Sequence, residues 1–145
     1  DFFNSTLFLL QIGENRESSH IHQEQKQAAQ KISYQAKMKN IVALAAKCSD
    51  MIAQENLEGF GDILHSGWLM KRSLGAFISS KEIDLTYEKL LKFGARGGRL
   101  LGAGATGYLL MYVRPEDQLD FLLKCRESQL NVERLNIDTK GARII

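Results

Sequence analysis

Apolar residues along the chain form short runs that predict the strands of a sheet. The apolar run at residues 7–12, closed by Gly13, predicts a central strand covered on both faces. Residues 108–113 form a second such run, and residues 99–101 predict a short strand before it. Residues 132–138 alternate between apolar and polar side chains, which predicts a last strand. The sequence therefore predicts four strands, one early and three late.

Between these strands the apolar spacing changes to three and four residues, the period of amphipathic helices. A first stripe predicts a long helix packed on the body of the domain; it consists of Tyr34, Met38, Ile41, Ala45, Cys48 and Ile52. A second stripe follows a break at residues 55–59; it consists of Phe60, Ile63, Gly67, Met70, Leu74 and Phe77. A third helix is predicted from an N-cap at Asp84 to Phe93, with Gly94 as a left-handed C-terminal cap, and Pro115 begins the last helix.

The element order β-α-α-α-β-β-α-β predicts an α+β fold, a ferredoxin-like two-layer sandwich whose antiparallel sheet carries helices on one face. A length of 145 residues predicts a single domain spanning residues 1–145. A net charge of +2 argues against a nucleic-acid partner, and no apolar run is long enough for a membrane partner. Cys48 and Cys125 lack C-x-x-C spacing, so we expect reduced thiols and a cytoplasmic protein.

The stretch Gly94–Gly107 holds six glycines in fourteen residues. Packing does not explain such a density, because glycine buries almost no apolar surface and loses much conformational entropy on folding. Glycines let several backbone N–H groups face one concavity, or let a ligand or another backbone approach closely. We therefore expect a turn at residues 102–107 that suits an anion, on a strand-turn-strand edge.

Residues 97–108 read Gly-Gly-Arg-Leu-Leu-Gly-Ala-Gly-Ala-Thr-Gly-Tyr. This sequence resembles the C-terminal motif of the GHMP small-molecule kinases, Gly-Gly-Lys-Leu-Leu-Gly-Ala-Gly-Gly-Gly-Gly-Phe, in the heptose-phosphate and fucose kinase branch. The segments at residues 65–71, 83–84 and 94–95 also follow the order and spacing of that branch. The resemblance covers roughly residues 6 to 145, and the family's C-terminal domain has the fold predicted above.

The resemblance implies an ATP-dependent kinase that transfers the γ-phosphate to a hydroxyl of a sugar, most closely a heptose phosphate, using ATP and Mg²⁺. The family's N-terminal ATP-binding loop and catalytic aspartate do not occur in this sequence. The chain therefore looks like the C-terminal half, and its start at Asp1 without a methionine fits a piece of something longer. We expect it to be inactive alone, to hold no tightly bound cofactor, and to have the missing N-terminal domain and a sugar phosphate as partners.

The resemblance also implies substrate- or phosphate-proximal residues, which are Arg16, His65, Lys71 and Arg99. The matching glycine-rich positions are Gly97, Gly98, Gly102, Ala103, Gly104, Ala105, Thr106 and Gly107. No catalytic residue and no metal ligand is predicted. Three of these residues also have a plainer interpretation: a solvated loop or strand arginine for Arg16 and Arg99, and ordinary packing at a buried edge for His65, as for its neighbour Trp68.

A second function class stays open on the sequence alone. A stand-alone ferredoxin-like module that binds a small ligand or forms a dimer would also lack the ATP-binding loop. A homodimer is compatible with both functions.

Overall fold

The computed structural model describes residues 2–13, 32–104 and 106–141, with the backbone alone at residues 103, 104 and 106. Its helices are α1 (Phe2–Thr6), α2 (Ile32–Ala53), α3 (Phe60–Arg72), α4 (Lys81–Lys92) and α5 (Gln118–Glu127), the last preceded by a 3₁₀ turn at Pro115–Asp117. Its strands are β1 (Leu7–Ile12), β2 (Gly97–Gly104), β3 (Thr106–Tyr112) and β4 (Val132–Arg134).

The four strands form one antiparallel sheet in the order β2-β3-β1-β4. This is the strand order of a ferredoxin-like sandwich, so the predicted α+β fold is confirmed, with β1 central as expected. In the register, Leu9 of β1 lies opposite Leu110 of β3, and Leu110 lies opposite Arg99 of β2. Two differences concern length. β2 and β3 extend through most of the glycine-rich stretch, and β4 ends at Arg134 rather than at Asp138.

Helices α4 and α5 cover one face of the sheet and form the main core with it. Leu109, Met111 and Val113 of this core are fully buried, as are Leu90 and Cys125. The other members with almost no exposed surface are Phe8, Trp68, Ile78, Ile83, Tyr87, Leu100 and Phe121. Burial of these apolar side chains is the main stabilising term of the domain. Because burial raises the pKa of the Cys125 thiol to about 11, this cysteine stays protonated and unreactive.

Helix α3 lies against the edge strand β2, and α2 packs on α3. A second apolar cluster joins Phe60 of α3 to Leu7 and Tyr112 at one end of the sheet, with Cys48 and Met51 of α2 packed beside them. No side chain of α2 is fully buried, and Ile52 is 45% exposed. The predicted stripe of α2 is therefore only half-buried, because α2 packs mainly on α3 and contributes only Cys48 and Met51 to the cluster at the sheet.

Helix α4 begins one turn earlier than the sequence predicts. Ser80 has an extended backbone, and its hydroxyl accepts a hydrogen bond from the Ile83 N–H at 3.3 Å, so Ser80 is the N-cap. The prediction of Asp84 as N-cap is wrong. Asp84 instead lies in the first turn and accepts hydrogen bonds from Arg72 and Ser79, each at 2.6 Å. Gly94, after the last turn, has a φ of +123°, in the region where glycine is favoured.

Candidate functional site

The glycine-rich stretch is a hairpin of β2 and β3 rather than a turn over residues 102–107. The register of the two strands shifts between Leu101 and Gly104, where the pairing is irregular. Gly102 has a φ of +105° and Gly107 a φ of +135°, so both backbones adopt conformations that other residues rarely accept. Ala105 and the side chains of Ala103 and Thr106 lie outside the described part of the chain.

Packing does explain the first two glycines of the motif, contrary to the expectation from sequence. A β-carbon at Gly97 would overlap the carbonyl oxygen of Gly61 and lie 2.9 Å from the His65 nitrogen. A β-carbon at Gly98 would overlap the carbonyl oxygen of Leu110. Gly97 therefore lets α3 lie directly on β2, backbone against backbone, and this contact sets how closely α3 approaches the strand.

Lys71 and Arg99 meet at a groove of 340 Å³ between α2, α3 and β2. Apart from Ser49 and these two cations, the groove is lined by apolar residues and glycine: Ile41, Leu44, Ala45, Cys48, Ile52, Ile63, Leu64, Gly67 and Trp68. Burial lowers the pKa of Lys71, and the nearby charge of Arg99 lowers that pKa further. In the described part of the chain neither side chain forms an ion pair. Two neighbouring cations without a carboxylate favour an anion.

His65 is attached to the hairpin through Tyr87, a residue that the sequence analysis missed. Its Nδ1 lies 2.9 Å from the Tyr87 hydroxyl, and the two rings stack with an interplanar angle of 3°. The Tyr87 hydroxyl also donates to the Gly98 carbonyl at 3.4 Å. Burial raises the pKa of Tyr87 to about 12, so this hydroxyl keeps its proton. Tyr87 shares an apolar stripe with Ile83 and Leu90, and a buried tyrosine needs a partner for its hydroxyl, which was the available signal.

The structure brings together only two of the four polar residues predicted to lie near the substrate. Lys71 and Arg99 share the groove, whereas His65 is hydrogen-bonded to Tyr87 of the main core. Arg16 lies outside the described residues. Within residues 2–13, 32–104 and 106–141, no group of three or more histidine, cysteine or acidic side chains is placed to hold a metal ion. None of the helices described there is long and apolar enough to cross a membrane.

The family model for the C-terminal domain of GHMP kinases matches residues 41–127. The chain belongs to the GHMP kinase family. This GHMP kinase domain is 23% identical over 99 residues to D-glycero-alpha-D-manno-heptose 7-phosphate kinase of Campylobacter jejuni, a match that covers 68% of this chain and 29% of that protein. The GHMP kinase domain thus spans under a third of that curated relative.

Solved structures share the fold of this GHMP kinase domain. The mevalonate kinase of L. major in complex with R-mevalonate has a TM-score of 0.71 at 15% identity, covering 83% of this chain and 37% of that one. The mevalonate kinase of Methanococcus jannaschii has a TM-score of 0.70 at 19% identity, with 93% and 41% covered. A sugar kinase structure from Campylobacter jejuni has a TM-score of 0.57 at 17% identity, with 92% and 33% covered.

Proposed function

We propose that this chain is the C-terminal part of an ATP-dependent kinase that phosphorylates a hydroxyl of a sugar phosphate of the heptose 7-phosphate type. The observation that carries the proposal is the pair of cations, Lys71 and Arg99, at one groove beside the glycine-rich hairpin. The curated relative named for heptose 7-phosphate supports this substrate class.

Phosphoryl transfer depends on positioning the reactants and on neutralising charge, and both tasks fit these residues. Arg99 offers two parallel N–H donors to a phosphate, while Lys71 adds a point charge. Lys71 is half-buried, so its charge is less screened by water than that of a surface lysine. We propose that the two side chains bind a phosphate of the substrate or of ATP. The proposal assigns Mg²⁺ no residue of this chain.

The proposal is tested first by binding, because the chain alone is expected to be inactive. Inorganic phosphate is titrated into the ¹⁵N-labelled chain, and affinity is read from backbone amide shifts. We expect Lys71→Ala and Arg99→Ala each to weaken phosphate binding about fivefold, somewhat less than a fully buried charged hydrogen bond would give. Lys47 provides a matched control, since it is an exposed cation of α2 that does not line the groove.

Two results would contradict the proposal. One is equal weakening by Lys47→Ala, because binding would then reflect only the net charge. The other is phosphate binding that leaves the amides around residue 71 and residue 99 unshifted. A chain that forms a stable dimer and binds no phosphate would instead favour the stand-alone module.

A further inference from the structure

A second cavity, of 520 Å³, lies at the end of β1, next to the start of its neighbour β4. Val132, the first residue of β4, pairs with Leu10, so in the described sheet the β4 side of β1 carries no strand beyond Leu10. Gln11, Ile12 and Gly13 line the cavity at this point. The exposed edge of a strand presents backbone N–H and C=O groups that are free to bind a ligand.

Among the described residues, polar side chains and the apolar residues Leu9, Leu10, Ile12 and Leu130 line this cavity, and none of these side chains is a cation. Its polar lining consists of Gln11, Glu82, Thr86, Gln129, Asn131 and Glu133, together with Tyr108. Within the described part of the chain, none of these side chains forms a hydrogen bond or an ion pair with another residue. Amides, carboxylates and hydroxyls together offer both donors and acceptors. Such a set suits neighbouring hydroxyl groups, whereas its two carboxylates would repel a phosphate.

The backbone conformation of Gln129 also supports a functional role for this cavity. It follows α5 with a φ of +58°, in the left-handed region that glycine adopts most easily at the end of a helix. The Leu130 N–H bonds back to the Cys125 carbonyl at 2.9 Å and closes the helix end. A glutamine in this position is strained, and strained residues concentrate at functional sites. Gln129, the residue in this strained conformation, is also one of the residues that line the cavity.

Tyr108 lines this cavity and lies near Arg99, which lines the other groove together with Lys71. Tyr108 is 46% exposed, which leaves aromatic surface for the C–H face of a sugar. Tyr108 lies opposite Leu101, and Arg99 lies two residues before Leu101, on the same face of the sheet. The diagonal distance between two such positions is about 7–8 Å. The cavity and Arg99 therefore lie within reach of different parts of one small ligand.

We propose that this cavity binds the polyhydroxylated part of a sugar through its amides and carboxylates. The identity of that sugar rests on the proposed function, while the cavity's preference for neutral hydroxyl groups over phosphate rests on its own residues.

The test titrates two probes into the ¹⁵N-labelled chain, D-glycero-D-manno-heptose 7-phosphate and inorganic phosphate. We expect the heptose phosphate, but not inorganic phosphate, to shift the side-chain amide signals of Gln129 and Asn131. Gln129→Gly removes the amide and also relieves the strained backbone. This variant should melt at the same or a higher temperature and yet bind the sugar phosphate at least fivefold more weakly.

Glu55→Gly is the matched control. Glu55 has a φ of +55° and does not line this cavity, so the substitution should relieve similar strain and leave sugar binding unchanged. If the heptose phosphate shifts only signals near Arg99 and Lys71, the cavity proposal is wrong and the proposed function survives. If it shifts no signal, D-mannose is titrated next. Shifts at Gln129 and Asn131 would then support the cavity and refute the heptose substrate, and their absence would refute the cavity.

Discussion

Replacing Gly97 by alanine should disturb both stability and anion binding, because Gly97 lets α3 lie on β2. A β-carbon there would overlap the Gly61 carbonyl oxygen. Ordinary contact distances are about 3.5–4.0 Å, so α3 must retreat by more than ~1 Å. Overpacking of this kind destabilises by about 1–3 kcal/mol. At roughly 4 °C per kcal/mol for a domain of this size, the melting temperature should fall by about 4–12 °C.

The same displacement should weaken phosphate binding, because Lys71 is carried by α3 and Arg99 by β2. Gly94→Ala is the matched control: its φ of +123° imposes strain, but the nearest atom to an added β-carbon is 3.7 Å away. It should cost at least about 1 kcal/mol and leave phosphate affinity unchanged. Urea unfolding measures the stabilities, and amide-shift titration measures the affinities. The reasoning fails if Gly97→Ala is as stable as the parent, or if it binds phosphate like the parent.

Three further predictions concern the site. The charged form of Lys71 binds the anion, and the pKa of Lys71 is lowered. Phosphate affinity should therefore decline as pH rises through that lowered pKa. In a pH series of titrations, Lys71→Arg should abolish the decline. Tyr87→Phe should destabilise by about 1–3 kcal/mol in urea unfolding, because it leaves the groups on His65 and Gly98 without their hydroxyl partner; unchanged stability would show that these contacts are unimportant. The purified chain should fold cooperatively but give no ATP-dependent phosphorylation of heptose 7-phosphate in a coupled assay, and measurable turnover would disprove its role as part of a two-domain enzyme.

The sequence predicted the elements well where burial decides them. The runs at residues 7–12 and 108–113 form most of the two central strands, β1 and β3. The rest of the fold buries most of the side chains in these runs. The helix stripes also led to helices, although the stripe of α2 did not predict its partial exposure. A periodic pattern reports which side of a helix is apolar, but not how completely the rest of the fold covers it.

The site could be predicted less well, because it depends on contacts between distant segments. Gly97 owes its importance to Gly61, and no local pattern relates the two. Lys71 and Arg99 were singled out by resemblance, whereas their meeting at one groove required the packing of α3 on β2. The polar residues around Gln129 escaped attention because each is ordinary by itself. They come from separate segments that meet only at the end of β1.

The incomplete burial of α2 affects how a ligand enters and leaves the groove that holds Lys71 and Arg99. Local opening requires little free energy where few apolar contacts are lost, and α2 is the wall of the groove with no fully buried side chain. Lys71 and Arg99 belong to the opposite wall, so the anion-binding groups keep their positions while α2 detaches. We therefore expect the amides of α2 to exchange with deuterium well before those of β2 and α4, and ligand entry to proceed without unfolding of the main core.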